Sequence, residues 1–417
     1  MDYLDRLARL VRQIRVADLS DSAVAAAKAV TLDTLGAILA GSRLAENARL
    51  AGLMAERSGP RTATLIGHRW RAEPMFAALA NGTAGISLEV DEGNRFGGGH
   101  PAIHVLPAAL AVGEEIGADG PRFIEALVAG YEVTARIGGA TRTRPNVHSH
   151  GTWGTIGAAV AVARLLDSDE RAIRGVINLA ASMSPANSWT PCFDGATIRN
   201  LYPGRAGLQG ILAVHLLECG YTGLWDAPSD VYGTILGESF DGESAAEGLG
   251  ADGRLQRDGF RIQRNYFKFH ACCLYNHPAL DAVHAIVRAE RLAPEAVARI
   301  AVMSVPFVAR MAEARPANML AAKFSVPYAV AAAVVTGKTD ISGFLDPAVE
   351  DPRIRDLAKR VEVSADPEMS LRRSNSPTAR VTVVLNDGRV LTRTTTVVRG
   401  DAENPVSREE LIGKFVA

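Results

Sequence analysis

A succession of helical runs built from very small apolar residues dominates this chain. GTIGAAVAVA over 154–163 is the extreme case, and AVAAAKAVTLDTLGAILAG over 23–41 is another. Helices surfaced with Ala and Gly let backbones approach closely, so they bury one another on several sides rather than along one stripe. Ser20 and Asp21 offer N-cap oxygens to the 23–41 run, and Gly41 offers a C-cap. Further helices are expected over 107–116, 123–137, 172–183 and 207–219. The pattern predicts a large all-helical domain over residues 1–260. The full length, 417 residues, exceeds what one compact core organises, so a second unit should follow.

The texture changes near residue 260. Arg299–Val305 alternates like a strand, Arg360–Val363 is a second candidate, and ARVTVVL and RVLTRTTTV flank Asn386-Asp387-Gly388, a hairpin turn. Helices are expected among them at 278–288, 294–298 and 323–336. The protein therefore reads as mainly α, a large helical domain plus a smaller α+β lid domain over 261–402, with the crossing near 255–265. Ser407 followed by Glu409 and Glu410 marks a capped helix, and 403–417 is expected to return to the helical domain.

Charge narrows the function classes. With 45 basic and 46 acidic residues, no general basic character supports nucleic-acid binding. No apolar run is seen to approach the roughly 18–20 residues that span a bilayer. The N-terminus, MDYLDRLARLVRQIR, lacks a signal peptide's apolar core, so a cytoplasmic protein without membrane partners is expected. Cys192, Cys219, Cys272 and Cys273 form no C-x-x-C pair, which suggests neither a zinc site nor a disulfide framework.

Five segments carry candidate chemistry. LEVDEGNRFGGGHPAIHVLP (88–107) sets Glu89, Asp91 and Glu92 before three glycines, His100 and His104. No strand precedes the glycines and no G-K-[ST] follows them, so they are not a phosphate loop. His148 and His150 stand just before the helix starting near Gly154, whose N-terminus suits a carboxylate. Arg199 and Arg205 flank a Pro-Gly turn, and a guanidinium fork matches carboxylate geometry. Lys268 lies between Phe267 and Phe269, and Tyr328 lies in an apolar helix. Together they supply imidazoles, a lysine, arginines and a phenol, which is equipment for holding carboxylates and moving protons.

The order of these segments resembles the MmgE/PrpD family, which includes 2-methylcitrate dehydratase, cis-aconitate decarboxylase and iminodisuccinate epimerase. The resemblance runs through LDTLGAILAGS, NGTAGISLEVDE, HPAIHVLPAALAVGEE, HSHGTWGTIGAAVAVARLL, NLAASM, PGRAGLQGILAVHLLECGYTG, YFKFHACCLYNHPALDAV and AKFSVPYAVAAAVVTG. It implies a helical domain with a lid, a homodimer, a cleft active site, no metal and no organic cofactor. By matching position it implies catalytic roles for Asp91, His100, His148, Lys268 and Tyr328. The segment DEGNRFGGGH departs from familiar lyase members, and Arg199 stands where they often carry a lysine. Arg199, Arg205, Arg95, Asn94, His150 and the helix start near Gly154 are expected to bind substrate. His148 or His100 would remove an α-proton, Lys268 with Tyr328 would stabilise the enolate-like charge or protonate a departing hydroxyl, and Asp91 would orient a histidine. The expected activity is a dehydratase-type lyase acting on a citrate-like di- or tricarboxylate. An epimerase or isomerase, a decarboxylase and a non-catalytic carboxylate binder are the alternatives.

Overall fold

A computed structural model describes residues 1–255, 259–370 and 377–416. Of the expected crossing at 255–265, residues 256–258 lie outside the described residues.

The fold is mainly α. Its first half contains α1 (Tyr3–Gln13), α2 (Asp21–Gly41), α3 (Ala45–Arg57), α4 (Pro74–Ile86), α5 (Pro101–Ile116), α6 (Gly120–Gly139), α7 (Gly154–Leu165), α8 (Glu170–Ser182) and a helix at Leu201–Glu218. Every residue of α7 is buried. Its small side chains let α5, α6, α8 and the Leu201–Glu218 helix pack around it. α5 begins six residues earlier than its periodicity suggests. Pro101 takes the first helical turn, where a missing N–H costs nothing, and the helix then continues through Pro107.

Several expectations need correction. The first half is not purely helical: β1 (Ala63–Thr64) pairs with β2 (Arg71–Ala72), and β3 (Thr141–Thr143) pairs with β4 (Gly237–Phe240). Strands of two to four residues are too short for alternation to be read. Also, α2 spans 21 residues and is long and apolar enough, by length and composition, to cross a membrane. Here it packs on α4 and on the C-terminal helix Arg408–Val416, and it carries the buried Asp33.

The second half holds a four-stranded sheet in the order β6-β5-β7-β8, from β5 (Val297–Ser304), β6 (Val361–Ala365), β7 (Ala379–Leu385) and β8 (Val390–Thr395). β5 and β6 run parallel; the other neighbours are antiparallel. The helix expected at 294–298 shrinks to one 3₁₀ turn at Pro294–Ala296, because the chain enters β5 at Val297. The run expected over 323–336 is cut in two at Phe324, and Ser325 caps the helix Val326–Thr336.

Each half has its own hydrophobic cluster. Leu88 and Val90, just after α4, belong to the second cluster, so the loop from Ser87 to His100 is held between the two cores.

Gly41 closes α2 rather than following it, with Ser42 as the C-cap. Glycine is required there by close packing: a Cβ would sit 1.8 Å from the Ala84 carbonyl oxygen of α4. Gly41→Val should therefore lose about 3 kcal/mol of stability through overpacking against backbone. Urea denaturation measures this, and an unchanged midpoint would refute the close approach.

Candidate active site

A cavity of about 610 Å³ opens between the two cores. Glu89, His100, His148, His150 and Arg199 line it from one half, and Cys273, Tyr275, Phe307 and Phe324 from the other.

The loop after α4 sets the geometry. Glu89 adopts φ +55°, a left-handed conformation that non-glycine residues rarely take and that costs on the order of 1 kcal/mol. What holds it there is charge. The Glu89 carboxylate is ion-paired with Arg199 and accepts from Lys268 Nζ at 2.9 Å. Lys268 Nζ also reaches Asp91 Oδ1 at 3.3 Å, and Asp91 Oδ2 lies 2.8 Å from His100 Nδ1. Arg199, Glu89, Lys268, Asp91 and His100 thus form one chain of alternating character, and all but His100 are almost wholly enclosed. Two cations oppose two carboxylates before the imidazole is counted.

Burial would raise the pKa of both carboxylates, but their neighbours outweigh it. Arg199 and Lys268 hold Glu89 below its usual range, and Lys268 with His100 holds Asp91 well below its own. Burial alone would depress Lys268; Asp91 and Glu89 raise it instead, so its proton is firmly held. Glu92 has no cation beside it. Burial, with the adjacent Asp91 charge, lifts it to about 8, and it accepts from the Ala102 N–H at 2.7 Å and from Tyr131 Oη at 3.1 Å.

Backbone partners fix the imidazole tautomers, because a carbonyl only accepts and an N–H only donates. His100 Nδ1 lies 2.6 Å from the Glu92 carbonyl, so Nδ1 carries the proton. Nε2 then keeps its lone pair, with Tyr266 Oη 3.3 Å away. His148 is the opposite case. Its Nδ1 accepts from the His150 N–H at 3.0 Å, so the proton is on Nε2, a buried atom with no partner among the described residues. His104 is used at both ends: Nδ1–H donates to the His100 carbonyl and Nε2 accepts from the Gly151 N–H. His150 stacks on His100 with centroids 4.5 Å apart, and its Nδ1 has no partner among the described residues. The cleft therefore contains one imidazole arranged to accept a proton and one arranged to donate a hydrogen bond.

Of the expected residues, His100, His148, His150 and Arg199 meet at the cleft. Arg199 Nε and Nη1 have no partner among the described residues, which leaves them available to an anion. Asp91 and Lys268 belong to the site but do not line the cavity; they stand behind Glu89 and His100. The role expected for Lys268 as charge stabiliser or acid is corrected accordingly, since its ammonium is spent on Glu89 and Asp91. Tyr328 is a core residue of the second half, its hydroxyl donating to the Gly343 carbonyl at 2.8 Å. Arg205 is exposed, bonds the Asn187 side chain and is absent from the cavity wall. Arg95 touches the cavity but its guanidinium is paired with Asp401 and Glu403. Asn94 also lines the cavity, but its amide oxygen accepts from the Phe96 and Gly97 N–H groups of the loop and its amide nitrogen donates to the Arg261 carbonyl. The start of α7 is covered by His104, whose ring would lie 2.4 Å from a Cβ at Gly154.

The structure adds residues that the sequence did not single out. Glu89 was one acid among three in LEVDE, with nothing to mark it. Tyr266 faces His100. Arg144 lines the cavity with its guanidinium on the Thr234 and Ile235 carbonyls rather than on a carboxylate. Lys323 is buried, donates to the Ser87 carbonyl at 2.9 Å, and is brought down to about 7 by burial and, further, by Arg199.

Asp91, His100 and His150 place one donor atom each within 4.8 Å of one another. The set fits a hydrogen-bonded relay better than a metal's ligands: Lys268 donates to Asp91, and the His100 Nδ1–H lies against the same carboxylate.

Burial lowers His104 to about 4 and, with neighbouring positive charge, holds His148 and His150 well below the usual imidazole value. Unfolded, each binds its proton near 6.5. Stability from keeping them neutral is complete above that value and is lost as pH falls toward the folded pKa values, by up to ~1.4 kcal/mol per pH unit and group. Glu92 works in the opposite sense, one group against three. The urea midpoint should thus fall steadily from pH 7 to pH 5; a flat or rising profile would contradict the neutral assignment.

Comparison with known proteins places the chain in a family. The MmgE/PrpD N-terminal domain matches residues 5–237 and the MmgE/PrpD C-terminal domain matches 270–417. Cis-aconitate decarboxylase of Aspergillus terreus (strain NIH 2624 / FGSC A1156) is 25% identical over 93% of this chain and 83% of its own length. The protein of that name from Mus musculus is 26% identical over 84% and 72%, and that from Homo sapiens 25% over 94% and 82%. With both domain models matched across nearly the whole chain, the protein belongs to the MmgE/PrpD family.

Proposed function

We propose that this protein is a cofactor-independent lyase that removes a proton α to a carboxylate of a small, citrate-like di- or tricarboxylate. The observation that carries the reading is the His100 tautomer. Nδ1–H is held by the Glu92 carbonyl beside Asp91, which leaves the Nε2 lone pair for a substrate proton. Relatives that act on cis-aconitate, by their names, support a small polycarboxylate as substrate.

In this mechanism Arg199 and Arg144 hold carboxylates of the substrate. His100 Nε2 takes the α-proton, and the C–H electron pair becomes the new C=C bond as the β-hydroxyl leaves. The neutral His148 Nε2–H hydrogen-bonds the departing oxygen, and the proton taken by His100 passes to it, so that it leaves as water and both imidazoles return to their neutral state. The imidazolium formed at His100 is stabilised by Asp91, and Lys268 keeps Asp91 ionised. Decarboxylation would use the same wall in reverse order. The C–CO₂ bond supplies the electron pair, and a protonated His100 delivers the proton to carbon.

A second reading is favoured by the opposed tautomers of His100 and His148. His100 Nε2 would remove the α-proton, His148 Nε2–H would hydrogen-bond the enolate oxygen, and water would return a proton at the opposite face, its hydroxide taking the proton held on His100; with no leaving group, that is epimerisation. A non-catalytic binder would leave this arrangement without a purpose. A cytoplasmic homodimer without nucleic-acid or membrane partners accompanies the proposal, and light scattering tests the dimer.

Proton NMR in deuterated water with 2-methylcitrate, citrate, cis-aconitate and iminodisuccinate separates the readings. A vinyl product supports the lyase. Deuterium at an α-carbon without a new alkene supports the epimerase. Silence across the panel would overturn the substrate class. In the active case, His100→Gln should lose roughly 10²–10⁴ in turnover, as expected for a general base. A variant with unimpaired turnover would remove His100 from the mechanism.

A further inference from the structure

The C-terminal segment, residues 398–416, reaches back to the loop that carries Asp91 and His100 and touches it at two points. Lys414, on the helix Arg408–Val416, donates through Nζ to Asp33 and to the Val90 carbonyl, the latter at 2.7 Å. Val90 immediately precedes Asp91. Asp33 lies on α2 with a side chain 0% exposed, and Asp33 Oδ2 has no partner among the described residues. Lys414 is the cation paired with that carboxylate. Further along the loop, Arg95 donates to Asp401 from Nε at 2.9 Å and from Nη2 at 3.2 Å. The same segment accepts from the Phe267 N–H at the Gly400 carbonyl, at 2.9 Å, next to Lys268.

These contacts are not the generic docking of a terminal helix. A helix that only covered apolar surface would need no inward-pointing ammonium. Here the ammonium is led to the main-chain oxygen one residue before the carboxylate that faces His100. A buried carbonyl and a buried carboxylate each cost free energy when left unpaired, so the loop is best satisfied in the path the lysine selects. Asp401 fixes the second point through a two-point guanidinium contact, which sets orientation as well as distance.

We propose that Lys414 and Asp401 are positioning residues: the C-terminal strap holds the 89–100 loop so that Asp91 and the His100 imidazole keep their registered geometry. The proposal rests on the reading of His100 as the proton acceptor for its kinetic consequence, but not for its structural one.

The test uses the full-length chain with Lys414→Met, Lys414→Arg and the double variant Lys414→Met/Asp33→Asn. The double variant removes the unpaired buried charge and guards against simple loss of folding. The first readout is the ¹⁵N imidazole spectrum of His100, which needs no substrate. The second is kcat against KM with whichever panel substrate turns over. Lys414→Met and the double variant should both shift the His100 ¹⁵N resonances and lower kcat at least tenfold, with KM changed less than threefold. Lys414→Arg should recover part of each. If the double variant keeps wild-type His100 resonances and kcat, Lys414 merely neutralises Asp33 and the proposal is overturned. If the wild-type protein turns over no substrate, the catalytic reading fails while the imidazole spectrum still decides the positioning role.

Discussion

The buried chain Arg199–Glu89–Lys268–Asp91 dictates where every other group in the site can stand. An isolated ion loses several kcal/mol on leaving water, so four charges can be enclosed here only as a mutually paired set. Pairing fixes positions. Glu89 must turn into a left-handed conformation to lie between Arg199 and Lys268, and this sends Asp91 toward the same ammonium. The loop then returns through its glycines to place His100 against Asp91. Removing one partner leaves an uncompensated buried charge, which costs about 3–5 kcal/mol in comparable cases.

That pairing also shapes what the cleft can receive. Arg199 lines the cavity, yet Glu89 already answers part of its charge. Arg95, a second cation at the wall, is claimed by Asp401 and Glu403. Arg144 bonds only to carbonyl oxygens. Positive charge is therefore available at few points, while neutral hydrogen-bonding capacity is plentiful at His148 and His150. A site of this kind recognises a small anion by geometry more than by an excess of charge.

Much of this was legible in the chain, for reasons that can be stated. Helical periodicity marked α6, α7 and α8 within a few residues of their ends: burial on all sides demands the small residues of α7, while α8 shows the one-sided apolar stripe of a helix with an exposed face. The Asn-Asp-Gly turn marked the β7–β8 hairpin, since its backbone needs a positive φ, which Gly388 supplies. Residue type brought out His100, His148 and Arg199. It failed where identical chemistry serves different ends. Tyr328 and Tyr266 are both phenols among apolar neighbours, but only Tyr266 faces an imidazole. The Pro-Gly pair between Arg199 and Arg205 is not a turn but part of the Leu201–Glu218 helix, which carries Arg205 away from the cleft and onto the Asn187 side chain. Arg199 is drawn in by Glu89, a partner far back in the sequence that no local pattern reveals.

The mechanism turns on His100 presenting an unprotonated Nε2 and His148 a protonated one. Long-range ¹H–¹⁵N correlation of the imidazole rings at pH 7.5 reads both states, with assignments from His100→Gln and His148→Gln. The expected spectrum shows an Nδ1–H tautomer for His100 and an Nε2–H tautomer for His148. An Nε2–H tautomer at His100 would leave no lone pair for the substrate proton, and it would contradict the mechanism at its first step.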